Sequence, residues 1–248
     1  MVNDLQRSYR ENTKDAIFKL GNGNVFTMIT KALIAARSGS QRVKNKNIRP
    51  FAGSSLLEIK IEQMCRIKSI DGVIVNSNDE EILNIAKKYD CEIVKRDQQF
   101  ATNTVSMSEV YKNMAEHTDA DVIVYANCTN PLMEDETIEK IVQSYFDRCK
   151  EYDSVNSGHL IKEFLFKDNK PLNYSLTNQP RSQDLPEIFA LNFAINVIQR
   201  EKMILSKNVV GMNPYIYCVD RVESTDIDDP IDFEFAEYIY RSMKNVKR

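Results

Sequence analysis

Histidine is almost missing from this sequence: only His117 and His159 occur in 248 residues. A histidine-rich metal site is thereby excluded. The five cysteines, Cys65, Cys91, Cys128, Cys149 and Cys218, are odd in number, scattered, and contain no C-x-x-C pair. That pattern speaks against a disulfide framework or a zinc site and for buried or idle thiols in a reducing compartment. No apolar run approaches the ~18 residues of a membrane span. The opening MVNDLQRSYRENTKD lacks the apolar stretch of a secretory signal, so a soluble, cytoplasmic protein is expected. A basic excess is absent too. The formal charge is −3 and the pI near 5.6, a balance that disfavours a general binder of nucleic acid or membrane surfaces. Glycine is scarce, with seven in the chain, and two of these, Gly39 and Gly53, bracket one loop. Neither G-x-x-x-x-G-K-[ST] nor G-x-G-x-x-G occurs, so a Walker loop is excluded and a dinucleotide fold disfavoured. There is no internal repeat and no low-complexity tract.

What is present is an alternation. KALIAA (31–36), GVIVN (72–76), CEIVK (91–95) and DVIVYA (121–126) are short apolar or β-branched runs, the pattern of parallel strands covered on both faces. Helical spacing lies between them. In NDEEILNIAKKYD, Ile82, Ile85, Ala86 and Tyr89 share one face, and Asn78 with Glu81 gives a cap-like start. In MEDETIEKIVQSYF, Ile138, Ile141, Val142 and Tyr145 repeat the spacing behind an acidic opening. The expected fold is α/β: a three-layer, open, mainly parallel sheet with right-handed crossovers. After about residue 150 the rhythm changes to short strand-like pieces and polar turns, read as a β-rich excursion over about 155–190. IDFEFAEYIYRSM then closes the chain as a helix. With 42 % hydrophobic residues the chain suffices for one large domain, here 28–248, preceded by a polar extension, 1–27.

In such a sheet, ligands bind beyond the carboxyl ends of the strands. The loop behind the first strand, ARSGSQRVKNKN, carries Arg37, Arg42, Lys44 and Lys46 around a Ser-Gly-Ser turn. Backbone N–H groups of the turn with Arg37, Arg42 and Lys46 suit a polyphosphate; the plainer reading is a solvated basic loop. The stretch ARSGSQRVKNKNIRPFAGSSLL resembles the motif A-R-x-G-S-K-R-[IL]-x-x-K-N-[IL] of the cytidylyltransferases that activate acidic sugars. These are the CMP-sialic acid synthetases and their relatives for pseudaminic, legionaminic and 3-deoxy-manno-octulosonic acids. The similarity extends with gaps from about 31 to 240. It implies the nucleotide-diphospho-sugar transferase type of Rossmann-like sheet. It also implies that Arg37, Ser40, Arg42, Lys46 and Asn47 bind CTP. Gln41 departs from the motif's lysine.

Four further segments carry chemistry. In STDIDDP, Asp226 and Asp228 converge if the segment is extended, and two such carboxylates suit Mg²⁺; a D-x-D segment also often caps a helix, and Asp229-Pro230 opens the last one. The resemblance assigns the catalytic metal to this D-I-D. NQPRSQDLPEIFALNF resembles the family's P-R-x-Q-D segment, which implies that Arg181 and Gln183 approach the sugar acid, with Asp184 as readily an exposed turn residue and Asn192 matching only in position. Arg96 and, more loosely, Ser106 match residues around the cytidine, on either side of the turn Ala101–Val105. In YANCTNPLM, Asn127, Cys128 and Asn130 replace the family's Gln, Pro and Ser while Thr129 and Pro131 are kept. Asn127 shortens the amide by one methylene, a change to which a polar site responds strongly. Cys128 has no histidine placed to activate it and is read as packing.

The resemblance thus implies a Mg²⁺-dependent cytidylyltransferase. The acceptor's anomeric hydroxyl attacks the α-phosphorus of CTP, with Lys46, Arg181, Asp226 and Asp228 as the catalytic set. It also implies a homodimer formed through the excursion, with CTP and a small anionic acceptor as ligands and neither nucleic acid nor membrane as partner. Two rival readings stay open: a phosphonate or other anionic acceptor on the same fold, and a nucleotide-binding module without turnover.

Overall fold

The computed structural model describes residues 17–19, 25–40, 42–102 and 104–246. The departure at Gln41 therefore lies outside the described residues, as do Asn103 of the Ser/Thr-rich turn and most of the 1–27 extension. Within that extension β1 (Ile17–Lys19) pairs antiparallel with β2 (Val25–Thr27).

The four apolar runs form strands where the pattern puts them: β3 (Thr30–Ala35), β6 (Gly72–Ser77), β7 (Glu92–Lys95) and β8 (Val122–Ala126). Between β3 and β6 the chain makes a small hairpin of β4 (Pro50–Phe51) and β5 (Ser54–Ser55), then α1 (Leu56–Arg66). Next come α2 (Glu80–Ala86) before β7, α3 (Met107–Glu116) before β8, and α4 (Asp135–Arg148) after it. β9 (Ser154–Ile161), β10 (Phe166–Lys167), β11 (Lys170–Pro171), β12 (Ile188–Gln199), α5 (Arg200–Ser206), β13 (Pro214–Cys218) and α6 (Pro230–Val246) complete the chain.

Seven strands build one sheet in the order β13-β9-β12-β8-β3-β6-β7, with β12 alone running against the others. β9, β12 and β13 thus belong to the main sheet. Of the segment read as a β-rich excursion over about 155–190, β9 pairs with β12 and β13 within this sheet, while β10 and β11 form a separate two-stranded ladder. Within β12 the register against β9 shifts between Leu191 and Asn196, where Phe193 takes a φ of 54°, the mark of a bulge.

Burial follows the pleat. Ala32 and Ile34 of β3 with Val122, Val124 and Ala126 of β8 face one core, packed by α1, α2, α4 and α6. Leu33, Ile123 and Tyr125 face the other, packed by α3 and α5. Both faces being covered explains the unbroken apolar runs. One expected cap moves by a residue: Asp79, not Asn78, accepts the amides of Glu81 (2.8 Å) and Ile82 (3.5 Å) at the start of α2. Asn78 instead donates to Ser38 Oγ (3.1 Å) and Gln98 Oε1 (3.2 Å).

The sheet order reverses at β3: the chain moves outward to β6 and β7, then returns to place β8 on β3's other side. The crevice of such a sheet opens at the carboxyl ends of those two strands. The loops there are residues 36–49 and 127–134. Fully buried Phe51 secures the exit of the first loop, meeting Phe233 (5.3 Å between centroids) and Tyr240 (5.6 Å) of α6 edge-on. Phe51→Ala is expected to cost about 3–5 kcal/mol in urea denaturation; a loss under about 1 kcal/mol would show that this contact does not hold α6 to the body.

Candidate active site

The first loop leaves β3 at Ala36, whose amide bonds to Asn76 O (3.1 Å). Gly39 has φ +84° with open space around it, a conformation that glycine adopts without strain. Residues 43–49 then form tight turns, with Asn45 at φ 54° and its carbonyl accepting the amides of Ile48 (3.0 Å) and Arg49 (2.8 Å). Asn47 O accepts the amide of Leu57 (2.9 Å), tying the loop to α1.

This backbone delivers Lys46 and Arg42 to residues far away in sequence. Lys46 Nζ donates to the carbonyl of Ile227, and Arg42 Nη2 donates to Asp228 Oδ1 at 2.7 Å. The segment 225–229 has no regular secondary structure and is held by side contacts. Ile227 N donates to Thr129 O (2.9 Å), Asn130 Nδ2 donates to Thr225 O (3.0 Å), and the Thr129 side chain stands close enough to the Asp226 carboxylate to favour its charged form. Asp229 caps α6 through the amides of Ile231 (2.8 Å) and Asp232 (3.0 Å). Capping therefore falls to Asp229, and Asp226 and Asp228 are left to face each other and Lys46.

The electrostatics are coupled. Burial lowers the pKa of Lys46, while Asp226 and Asp228 oppose that shift and Arg42 adds to it. Asp226 opens to solvent, yet enough protein surrounds it that desolvation raises its pKa; Thr129 and Lys46 counter this and Asp228 reinforces it. A carboxylate whose proton affinity is raised by a second one beside it, both exposed and offering hard oxygen donors, suits a divalent cation.

A second group lies toward β6. Arg96 is buried, donates to Asn76 Oδ1 (2.6 Å) and Asn76 O (3.2 Å), and has its pKa lowered by desolvation and by nearby Arg37. Arg37 Nη1 reaches Ala101 O (3.2 Å). Two groups thus stand behind the carboxyl ends of the strands: Arg42, Lys46, Thr129, Asp226 and Asp228 in one, and Arg37 with Arg96 in the other, with Ser40 and Asn47 on the same loop as Arg42 and Lys46.

The remaining candidates sit apart or play visible structural parts. Ser106 caps α3, accepting the amide of Glu109 (3.4 Å). Asn127 stands half-exposed beside Thr129, and its backbone amide bonds to Ala194 O (3.2 Å). Asn192 is buried in the β12 bulge, where its Oδ1 accepts from Ser157 Oγ (2.6 Å) and the amide of Ala194 (3.1 Å). Cys128 is buried and burial pushes its thiol up to about 12, which suits packing. Arg181 is exposed and spends its guanidinium on Asp184 (2.7 Å) within its own turn. Among the described residues, no hydrogen bond or ion pair joins Arg181 or Gln183 to the crevice.

Three residues were not anticipated. Asn76, a buried amide closing β6, carries Arg96; an asparagine ending an apolar run at a carboxyl end was its signal. Lys60 and Gln63 of α1, both buried, hold the second loop from below.

Comparison with known proteins agrees with this geometry. Residues 31–244 match the cytidylyltransferase family. Among relatives, the chain is 24 % identical over 225 residues to a post-translational flagellin modification protein B of Campylobacter coli, covering 86 % of this chain and 95 % of that one. It is 25 % identical over 232 residues to the CMP-N,N'-diacetyllegionaminic acid synthase of Campylobacter jejuni, covering 86 % and 95 %. An N-acylneuraminate cytidylyltransferase of Escherichia coli is 26 % identical over 234 residues, 87 % of this chain but 53 % of that longer protein. In structure, a CMP-2-keto-3-deoxy-manno-octonic acid synthetase complexed with CTP superposes with a TM-score of 0.62 at 12 % identity, covering 87 % of this chain and 99 % of that one. A cytidylyltransferase of Leptospira borgpetersenii gives 0.58 at 18 % identity, covering 85 % of each. The fold, the crevice and the match across residues 31–244 agree, and the chain belongs to the cytidylyltransferase family of nucleotidyltransferases.

Proposed function

We propose that this cytidylyltransferase transfers CMP from CTP to an acidic sugar of the nonulosonate or octulosonate class and releases pyrophosphate. The observation that carries the reading is the meeting of Lys46 and Arg42 with Asp226 and Asp228 at the sheet's switch point. The names of the relatives, which act on neuraminic, legionaminic and pseudaminic acids, support the acceptor class.

The protein's part is positioning and charge neutralisation. Arg37, Arg42 and Lys46 bind the triphosphate, and the amides of the Ser38–Ser40 turn line its path. The Arg42–Asp228 pair is exposed on both sides and worth only about 0–1 kcal/mol, so Arg42 turns to a phosphate at little cost. Arg96, fixed by Asn76, faces the nucleoside side of the crevice. Asp226 and Asp228 would hold Mg²⁺, which would supply charge neutralisation for the transfer. The acceptor's hydroxyl lies toward the Asn127–Thr129 turn, where the shorter amide of Asn127 favours an acceptor other than N-acetylneuraminic acid.

Arg181 and Gln183 lie between β11 and β12, and β10 to β12 with this connection also expose Phe166, Leu172, Leu176 and Phe189. Apolar residues so exposed suit a second copy, and a dimer so formed would bring Arg181 to the partner's crevice.

Three measurements test these readings. Pyrophosphate release with CTP and Mg²⁺ is expected with one acid from a panel of neuraminic, pseudaminic, legionaminic and octulosonic acids. Release only with a phosphonate would move the acceptor to another class, and absence of CTP binding would sink the reading. Asp228→Ala is expected to lower turnover by about two orders of magnitude or more while the circular dichroism spectrum stays unchanged; full activity would remove the metal site. Mixing inactive Asp228→Ala with inactive Arg181→Ala should restore about a quarter of wild-type activity if sites are shared across a two-fold dimer, and none if each chain is self-sufficient.

A further inference from the structure

Helix α1 buries Leu56, Leu57, Ile61 and Met64 completely, and in the same stripe stands Lys60, also with 0 % exposure. Lysines at such positions usually extend their ammonium to water. This one ends inside the protein, where burial pulls its pKa down to about 8 against the opposing pull of Cys128 and Asp135. An apolar side chain would fill the position without that desolvation cost. What the amine holds is therefore informative.

Lys60 Nζ donates to Asn130 O (3.0 Å) and to Gln63 Oε1 (2.8 Å). Gln63 Nε2 in turn donates to Met133 O (2.7 Å) and Asp135 Oδ1 (3.0 Å). The turn from Asn127 to Glu134 is itself neither strand nor helix, so its inward carbonyls need donors from elsewhere. Lys60 and Gln63 provide them from below. From the upper side of the same turn, Asn130 Nδ2 donates to Thr225 O (3.0 Å), and Thr129 O accepts the amide of Ile227 (2.9 Å). A continuous path of hydrogen bonds therefore runs from Lys60 through the turn to the segment bearing Asp226 and Asp228.

We infer that Lys60 is a positioning residue for the reaction, holding the Thr129–Asn130 turn on which the Asp226–Asp228 segment is mounted. The inference rests on the proposed reading of those two aspartates as the metal-holding pair. Lys60 touches neither the nucleotide crevice nor a carboxylate, and acts through Asn130. Because both bonds are donated by the amine, either protonation state can make them, so the role belongs to geometry and not to charge alone.

The test is hydrogen–deuterium exchange on the full chain, read on peptides spanning Thr225–Asp229 and on the β3 and β8 core. Lys60→Met is expected to speed exchange of the Ile227 amide about tenfold or more while the core stays protected. Mn²⁺ binding in the presence of CTP, followed by electron paramagnetic resonance, should weaken by roughly 10–100-fold. Asn130→Ala, which removes the upper link and leaves Lys60 in place, should move both readouts the same way, and the double variant should be no worse than Lys60→Met. Unchanged exchange at 225–229 in a folded Lys60→Met chain, or equal acceleration throughout the core, overturns the inference. If Lys60→Met fails to fold, unchanged exchange in Asn130→Ala overturns it equally. Wild-type protein that binds no Mn²⁺ with CTP would instead remove the metal reading, and the exchange result would still decide whether Lys60 mounts the segment.

Discussion

The site depends on how one residue, Ile227, is held. Its side chain is fully buried, its N–H donates to Thr129 O, and its carbonyl accepts from Lys46 across a separation of 181 residues. With Ile227 fixed inward, its neighbours Asp226 and Asp228 are directed outward, one toward Thr129 and the other toward Arg42. No helix or ladder imposes this arrangement on the segment. It follows from β3 and β8 being neighbours in the sheet, because the loops behind those strands supply Lys46 and Thr129. The strand order is thus part of the site's chemistry.

Where apolar burial is continuous, the fold was legible. β3, β6, β7 and β8 declare themselves as runs because helices cover both faces of the sheet. β9 and β12 hid for the opposite reason. Their buried positions include Asn156, Ser157, Asn192 and Asn196, which pair through Asn196–Asn156 and Ser157–Asn192 bonds of 2.6 Å. Buried polar pairs across a ladder look, in one dimension, like a polar turn. The shift of the α2 cap from Asn78 to Asp79 has a similar origin: both side chains can cap, and only the path of the backbone chooses.

In the site, charge was legible and geometry was not. A basic loop behind the first strand and a D-x-D near the last helix are compositional facts. Their meeting is a tertiary one. Ser106, three residues before Glu109, carries the spacing of a helix cap, and capping is what its side chain does; Glu109 turns to Lys207 at 2.7 Å instead of completing the box. Lys60 falls in the apolar stripe of α1 at Leu56, Leu57, Ile61 and Met64, a departure from pattern visible in the sequence. Such a lysine is ordinarily read as reaching to solvent, and only the packing around it closes that route.

The charges in the crevice lead to one more step. Lys46 and Arg42 against Asp226 and Asp228 make a set that is neutral when all four are ionised. A neutral set offers a triphosphate directional donors but little net attraction, because each phosphate drawn to Lys46 also meets a carboxylate. Two changes turn the crevice into a polyanion site. Arg37 and Arg96, close enough to influence each other, add positive charge on the side toward β6. A divalent cation on the aspartates, as proposed, would convert their contribution from repulsion to attraction and would free Arg42 from an exposed pair that is worth little on its own. A basic loop in an acidic chain would thus make physical sense under the proposed reading, with nucleotide and metal arriving together. The carboxylates oppose the binding of other phosphates beside Lys46, and the proposed metal would lift that restraint for the nucleotide it accompanies.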